Sequence, residues 1–156
     1  MPSVLHEQLC DKALIWLRRN GFSVYGKNIT ASGSRERVDA IGFRDTCAVV
    51  IESKVSISDF IADKKKPERT LGGAGTYRFY IAPKDLIPIQ RIPAKWGLIE
   101  IDKNKIITTV GPTGNLWPHF SSVTCDNWGA FANQPNEKTE RSLLFSIARR
   151  RFLEKN

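Results

Sequence analysis

The stretch RVDAIGFRDTCAVVIESK, residues 37–54, decides the fold of this chain. It contains two apolar, β-prone segments, at 38–43 and 48–55, which a short connection separates. This pattern predicts two adjacent strands. Alternate residues of a strand point to the same face of the sheet. Glu52 and Lys54 should therefore project together at the end of the second strand.

Asp39 joins Glu52 on this face in either of two registers. If Phe43 pairs with Ala48, the two carboxylates lie directly opposite each other. If Phe43 pairs with Thr46, they are diagonal neighbours, whereas an odd connection without a bulge would separate them. Two carboxylates beside an ammonium suit a divalent cation, which binds oxygen ligands, and a phosphodiester, whose developing charge the ammonium offsets.

Each of these charges also has a purely structural explanation, since an Asp can close a turn and a Glu in a strand can face solvent. The run 49–51 argues against that explanation, because a segment apolar on both faces predicts a covered, central strand. A charge at the end of such a strand needs a partner or a metal. We therefore expect Asp39 and Glu52 to be metal ligands, while an ion pair with Glu52 is the structural alternative for Lys54.

The rest of the chain predicts a single α/β domain over residues 1–156, built on a mixed sheet. Periodicity and turn signals place helices at about 4–20, after 56 and at 138–153, and strands at 22–25, 77–82, 96–101 and 105–110. Segment 27–36 should be a loop or an irregular edge strand. The aromatic residues of the irregular segment 111–136 are expected to pack as a satellite cluster rather than to stack on bases.

The helix after 56 is predicted from a Ser56 cap and from the helical spacing of Ile57, Phe60, Ile61 and Lys64. The last helix should bury a stripe made of Leu144, Ile147, Ala148 and Phe152.

The composition favours a polyanionic partner, because the net charge is +8 and the pI is about 9.6. No signal pattern and no apolar run of bilayer length are found, so we expect a cytoplasmic protein without a membrane partner. Cys10, Cys47 and Cys125 form no CxxC pair and lack zinc-ligand spacing, which favours buried thiols in a reducing compartment. A homodimer is also compatible with the sequence.

Asp39 followed by Glu52-Ser53-Lys54 resembles the core motif of the PD-(D/E)XK nuclease superfamily, whose fold is called restriction-endonuclease-like. The predicted order of helix, three strands, helix and strand is the order of that core. Two positions depart from the family pattern, since Val38 replaces a proline and Ser53 replaces an often apolar residue. Many members lack that proline, and the second position usually contributes its backbone carbonyl, so neither departure changes the expectation.

The segment after the motif is similar to a bacterial and phage subgroup that includes the MmcB-like DNA repair proteins. Ser56-x-Ser58-Asp59-Phe60, followed by an Asp and three lysines at 63–66, resembles the helix after the E-x-K strand of that subgroup. Trp-Gly-Leu-Ile-Glu at 96–100 resembles its last core strand. The resemblance extends over 5–102, roughly two-thirds of the chain.

This resemblance implies a Mg²⁺- or Mn²⁺-dependent hydrolase that cleaves phosphodiester bonds in DNA without strong sequence specificity. It implies that Asp39, Glu52 and the Ser53 carbonyl hold the metal and that Lys54 contacts the scissile phosphate. Glu7 on the first helix would be a further ligand or, alternatively, a residue that complements the helix dipole.

The densest basic cluster would follow the backbone of the nucleic acid, or else be a solvated helix end. Its members are Lys64, Lys65, Lys66 and Arg69. Two other classes of function stay open on the same fold: a nucleic-acid-binding module that does not cut, and a protein-interaction domain such as an inhibitor of a host system. The intact carboxylates and lysine favour the nuclease over both.

Overall fold

The computed structural model describes residues 3–31, 36–63, 65–66, 72–123 and 126–155. These residues form a six-stranded mixed sheet flanked by helices, which confirms the predicted α/β class. The helices are α1 (Val4–Arg19), α2 (Ile57–Asp63), α3 (Asp126–Gly129) and α4 (Glu137–Glu154). The strands are β1 (Val24–Thr30), β2 (Arg37–Phe43), β3 (Ala48–Ser53), β4 (Tyr77–Pro83), β5 (Trp96–Asp102) and β6 (Lys105–Val110). Short 3₁₀ turns lie at Ile89–Arg91 and Phe120–Ser122.

The six strands lie side by side in chain order. β1, β2 and β3 form an antiparallel meander, β3, β4 and β5 run parallel, and β6 returns antiparallel to β5. The crossover between the parallel strands β3 and β4 contains α2, as parallel pairing requires a long connection. All six residues of β3 are buried, so the doubly apolar run correctly predicted a central strand.

Both predicted helix starts are confirmed by their caps. Ser3 Oγ accepts a hydrogen bond from the His6 amide at the start of α1, and Ser56 Oγ accepts one from the Asp59 amide at the start of α2. The buried side chains of α1 include Leu9, Ala13, Trp16 and Leu17, which pack on one face of the sheet. Because this face of α1 packs on the sheet, the positions of His6 and Glu7 in the first helical turn are fixed relative to the sheet.

The strand predicted at 22–25 is longer than expected and is shifted along the chain. β1 spans Val24–Thr30 and pairs with β2, so the first part of segment 27–36 is the irregular edge strand rather than the loop. Asn28 has a φ of +54°, a left-handed backbone conformation that interrupts the alternation. The predicted strand ended too early because the residues from Lys27 onward are mostly polar.

The aromatic residues of segment 111–136 pack, as expected, but in the main core and not in a satellite cluster. Trp117 is 2% exposed and makes edge-on contacts with Trp16, Phe22 and Tyr77. Trp128 contacts Trp117 at a ring-centroid distance of 5.0 Å. The segment therefore covers one face of the sheet.

The helix predicted after Ser56 from the spacing of Ile57, Phe60 and Ile61 is confirmed as α2. Its buried residues are Phe60 and Asp63, whereas Ile57 and Ile61 are partly exposed, and Lys64 lies outside the described residues.

In α4 the buried residues are Leu143 and Ile147, while Leu144, Ala148 and Phe152 are exposed. The predicted inner face is therefore correct only at Ile147. Arg150 and Arg151 donate to backbone carbonyls of the edge strand β1. Within the described part of the chain, no helix has the length and apolarity to cross a bilayer.

Candidate functional site

A polar pocket of about 280 Å³ opens at the carboxyl end of β3, between the first turn of α1 and the start of α2. Charged and polar side chains from four elements and their flanking residues line it. They are His6, Arg37, Asp39, Glu52, Ser53, Lys54, Asp59 and Lys66. Three of the residues predicted from the motif therefore share one pocket with Ser53, although they come from two strands.

The strand register brings the two carboxylates together. Phe43 pairs with Ala48 and Ala40 pairs with Ile51, so the same register places Asp39 opposite Glu52. This is one of the two registers expected from the sequence. The Asp39 carboxylate is further fixed by the Ser53 amide, which donates to Oδ2 over 2.9 Å.

The second carboxylate is almost removed from solvent. Glu52 is 3% exposed, and it follows four buried apolar residues of β3. A carboxylate at such a position is costly unless a proton, a donor or a cation compensates its charge. A pair of oxygen-rich side chains at the end of a rigid, buried strand is the type of donor set that hard divalent cations prefer.

Lys54 lies in the same pocket, but its ion pair is with a residue that the sequence did not single out. Its Nζ donates to Asp63 Oδ1 over 2.9 Å, and both side chains are buried. Tyr80 donates its hydroxyl to the other oxygen of Asp63 over 3.1 Å. The alternative of a Lys54–Glu52 pair is thus replaced by a Lys54–Asp63–Tyr80 network. Asp63 follows the buried Phe60 at a spacing of three on α2, and that spacing is the signal that could have identified it.

His6 is a second pocket residue that sequence reasoning missed. Its Nε2 lies 3.4 Å from Asp39 Oδ2. The side chain is mostly buried and projects from the first turn of α1. The family resemblance pointed to the next residue, Glu7, because many relatives carry a Glu on this helix, and no sequence signal indicated His6.

Glu7 lies outside the pocket. Its two carboxylate oxygens face β1, where Lys27 Nζ lies 3.5 Å from Oε2 and Asn28 Nδ2 lies 3.4 Å from Oε1. Lys27 also binds Asp11 over 2.6 Å, and its pKa is raised, first by that hydrogen bond. The structure therefore does not bring Glu7 to the carboxylate pair that it was predicted to complete.

Cys10 connects α1 to the same end of β3. Its Sγ lies 3.3 Å from Ser53 Oγ and 3.8 Å from His6 Nδ1. Burial raises the pKa of the Cys10 thiol to about 11. Cys47 is also buried and free, and burial raises its pKa to about 12, whereas Cys125 lies outside the described residues.

The predicted basic cluster is described only in part. Lys65 and Lys66 are exposed after α2, and Lys66 Nζ lies 3.5 Å from Asp63 at the pocket rim. Lys64 and Arg69 lie outside the described residues. Arg37 adds a further positive charge to the pocket lining.

Comparison with known proteins gives the fold and no activity. No family model matches the chain, and no curated protein matches it. Among solved structures it is similar to a protein of unknown function from Silicibacter pomeroyi, with 21% sequence identity and a TM-score of 0.63. The similarity covers 97% of this chain and 92% of that chain, so the two share their fold over nearly their whole length.

Proposed function

We propose that this protein is a metal-dependent nuclease of the PD-(D/E)XK type that hydrolyses phosphodiester bonds in DNA, in the cytoplasm and without strong sequence preference. The observation that carries the proposal is the register that sets Asp39 opposite Glu52 in a polar pocket that Lys54 also lines. Asp39, Glu52 and the Ser53 carbonyl would hold Mg²⁺ or Mn²⁺. The donor set fits, because it consists of oxygens. When bound, the cation supplies charge neutralisation at the phosphate and lowers the pKa of a water.

The side chains around these ligands have separate tasks. The Ser53 amide and His6 hold the Asp39 carboxylate in one orientation. Lys54 places a positive charge beside the phosphate, where it matters most as negative charge develops on the oxygens. Asp63 fixes the position of that ammonium through a hydrogen bond of 2.9 Å. We leave Glu7 out of this centre because it lies outside the pocket.

The pocket rim supports DNA as the substrate. Arg37 and Lys66 line it, Lys65 is exposed nearby in the chain, and the whole chain has a net charge of +8. Cations at such positions bind phosphates and add affinity without reading bases. Lys64 and Arg69 remain predicted members of this surface.

A second candidate function is nucleic-acid binding without cleavage on the same fold. The observation that favours it is the buried pairing of Lys54 with Asp63, which would also occur if the lysine had only a structural role. Such a module would bind without metal, and the binding would tolerate Glu52→Ala.

A cleavage assay separates the two candidates. Plasmid, single-stranded DNA, a branched junction and RNA are incubated with the protein in Mg²⁺, Mn²⁺ or EDTA. Asp39→Ala and Glu52→Ala should abolish cutting, because each removes one of the two carboxylates that would hold the metal. Asp102→Ala, a partly exposed acid that pairs with Lys84, is the matched control and should cut normally. Full cutting by either pocket variant would refute the assignment.

A further inference from the structure

We propose that His6, Glu7 and Cys10 form a second metal site, which takes a borderline divalent cation such as Zn²⁺ and lies beside the carboxylate pocket. One ligand atom from each residue lies within 4.8 Å of the other two. His6 Nδ1 is 3.8 Å from Glu7 Oε1 and 3.8 Å from Cys10 Sγ. All three residues come from the first two turns of α1, which is rigidly packed on the sheet.

The orientation of the imidazole supports this site. Its Nε2 faces Asp39 Oδ2 at 3.4 Å, so the carboxylate favours the proton on Nε2. The lone pair of Nδ1 then points to the side of Cys10 and Glu7. Histidines that bind metals commonly donate their other ring N–H to a carboxylate in this way. Glu7 Oε1 lies 3.8 Å from Nδ1 and accepts a hydrogen bond from Asn28 Nδ2 over 3.4 Å, so a cation bound at Nδ1 would share this oxygen with Asn28.

The distances are close to those of a tetrahedral site. With Zn–N near 2.0–2.1 Å and Zn–S near 2.3 Å, tetrahedral geometry separates nitrogen and sulfur ligands by roughly 3.5 Å. The observed 3.8 Å between His6 Nδ1 and Cys10 Sγ needs an adjustment of a few tenths of an ångström. Glu7 is partly exposed and can move by the amount required. Three protein ligands leave a fourth position for water.

The donor set separates this site chemically from the carboxylate pocket. One nitrogen, one sulfur and one oxygen suit Zn²⁺ or Co²⁺, whereas Mg²⁺ prefers oxygen alone. Ser53 Oγ lies 3.3 Å from Cys10 Sγ and can donate to the thiolate, which stabilises the charge of the bound form. The competing explanation is a protonated His6 that bridges the Asp39 and Glu7 carboxylates. In that explanation Cys10 has only its hydrogen-bond contacts with Ser53 and His6, so a bond from its sulfur to the metal decides between the two.

Co²⁺ is the probe, because a thiolate ligand gives it a charge-transfer band in the near ultraviolet and tetrahedral coordination gives it intense visible bands. The full chain is titrated with Co²⁺, and Zn²⁺ or Mg²⁺ is then added in excess. We expect one Co²⁺ per chain to give both sets of bands, and we expect Zn²⁺ but not Mg²⁺ to displace it; Co²⁺ held by the carboxylate pocket has no thiolate ligand and gives no charge-transfer band. Cys10→Ser should remove the charge-transfer band. Cys47→Ser and Cys125→Ser are the matched thiol controls and should keep it.

His6→Gln and Glu7→Gln should weaken Co²⁺ binding at least about tenfold, and Asp39→Asn about ten- to a hundredfold as the outer partner of the histidine. The side chains of His6 and Glu7 keep 17% and 37% of their surface exposed, whereas Cys10 is fully buried, so these two variants decide the question if Cys10→Ser does not fold. A wild-type protein without the charge-transfer band, a band that survives in Cys10→Ser, or unchanged affinity in His6→Gln would overturn the proposal. The titration contains no DNA, so its outcome is independent of whether the protein cleaves.

Discussion

Replacing Asp63 by leucine should strongly destabilise the protein, because the Lys54 ammonium would lose its counter-charge while it stays buried. The exposed fraction of the side chain is 6% for Lys54 and 1% for Asp63, and their charged atoms are 2.9 Å apart. Removing one partner of a buried ion pair costs about 3–5 kcal/mol. In a domain of this size each kcal/mol lowers Tm by about 2–4 °C, so Tm should fall by roughly 6–20 °C.

A second substitution, Lys54→Met, should recover much of the stability that Asp63→Leu loses. In Lys54→Met/Asp63→Leu both charges are absent, and apolar replacements of a buried pair are often neutral. Tyr80 would still lack the acceptor for its hydroxyl, which costs about 1–3 kcal/mol. Adding Tyr80→Phe should remove that remaining penalty. The rim residue Lys66 gives the matched control, because its ammonium is exposed and Lys66→Met should cost at most about 1 kcal/mol.

Urea unfolding of the metal-free protein, monitored by circular dichroism, measures the free energy of unfolding of the wild type and of each variant. The same preparations are then assayed for DNA cleavage in Mg²⁺. We expect the stable double and triple variants to be inactive, since the charge that Lys54 supplies is absent. A loss below about 1 kcal/mol for Asp63→Leu, or a double variant no more stable than the single one, would refute the account of a buried, coupled pair.

Three further expectations follow from other parts of the molecule. Burial raises the pKa of Glu140 to about 7, so the folded protein binds more protons than the unfolded chain between about pH 4.5 and 7, and stability falls as pH rises through that window. In thermal unfolding, Glu140→Gln should therefore be more stable than wild type by at most about 3 kcal/mol at pH 8, and should differ little from it at pH 5. Trp117→Ala should cost about 3–5 kcal/mol and leave DNA affinity unchanged below its Tm, whereas Leu116→Ala, at the exposed neighbouring position, should change neither stability nor affinity. Neutralising the lysines at 64–66 should flatten the slope of log affinity against log salt by about 0.9 for each duplex phosphate that these lysines bind in the wild type, and an unchanged slope would mean that they do not bind the backbone.

The sequence predicted the sheet well because its strongest signals are local. The apolar run of β3, the Ser3 and Ser56 caps and the hairpin of β5 with β6 all follow from residues within a few positions of one another. The faces of short helices were harder to predict. In α2 the polar Asp63 faces the core, where Lys54 and Tyr80 meet it; its spacing of three from Phe60 indicates its face, but no local pattern identifies its partners.

The same limit applies to the candidate site. Asp39 and Glu52 could be predicted to lie together because a tight hairpin joins their strands. The one undetermined feature was whether the connection has an even or an odd number of residues, which decides whether both side chains lie on the same face. His6 and Tyr80 could not be placed, because each reaches the site from an element far away in the chain. The roles of the motif residues in cleavage, the metal and the cytoplasmic setting stay predictions.

The position of the pocket follows from the way β3 pairs with its two neighbours. β3 runs antiparallel to β2 and parallel to β4, so its carboxyl end meets the beginning of β2 and the end of β4. Glu52 pairs in register with Tyr80 on one side and, by the continued register, with Asp39 on the other. Tyr80 holds Asp63, and Asp63 holds Lys54. A slip of one residue in either pairing would turn a member of this set to the opposite face. The network that stabilises the end of the sheet therefore also fixes the geometry of the proposed site, and a change to one should affect the other.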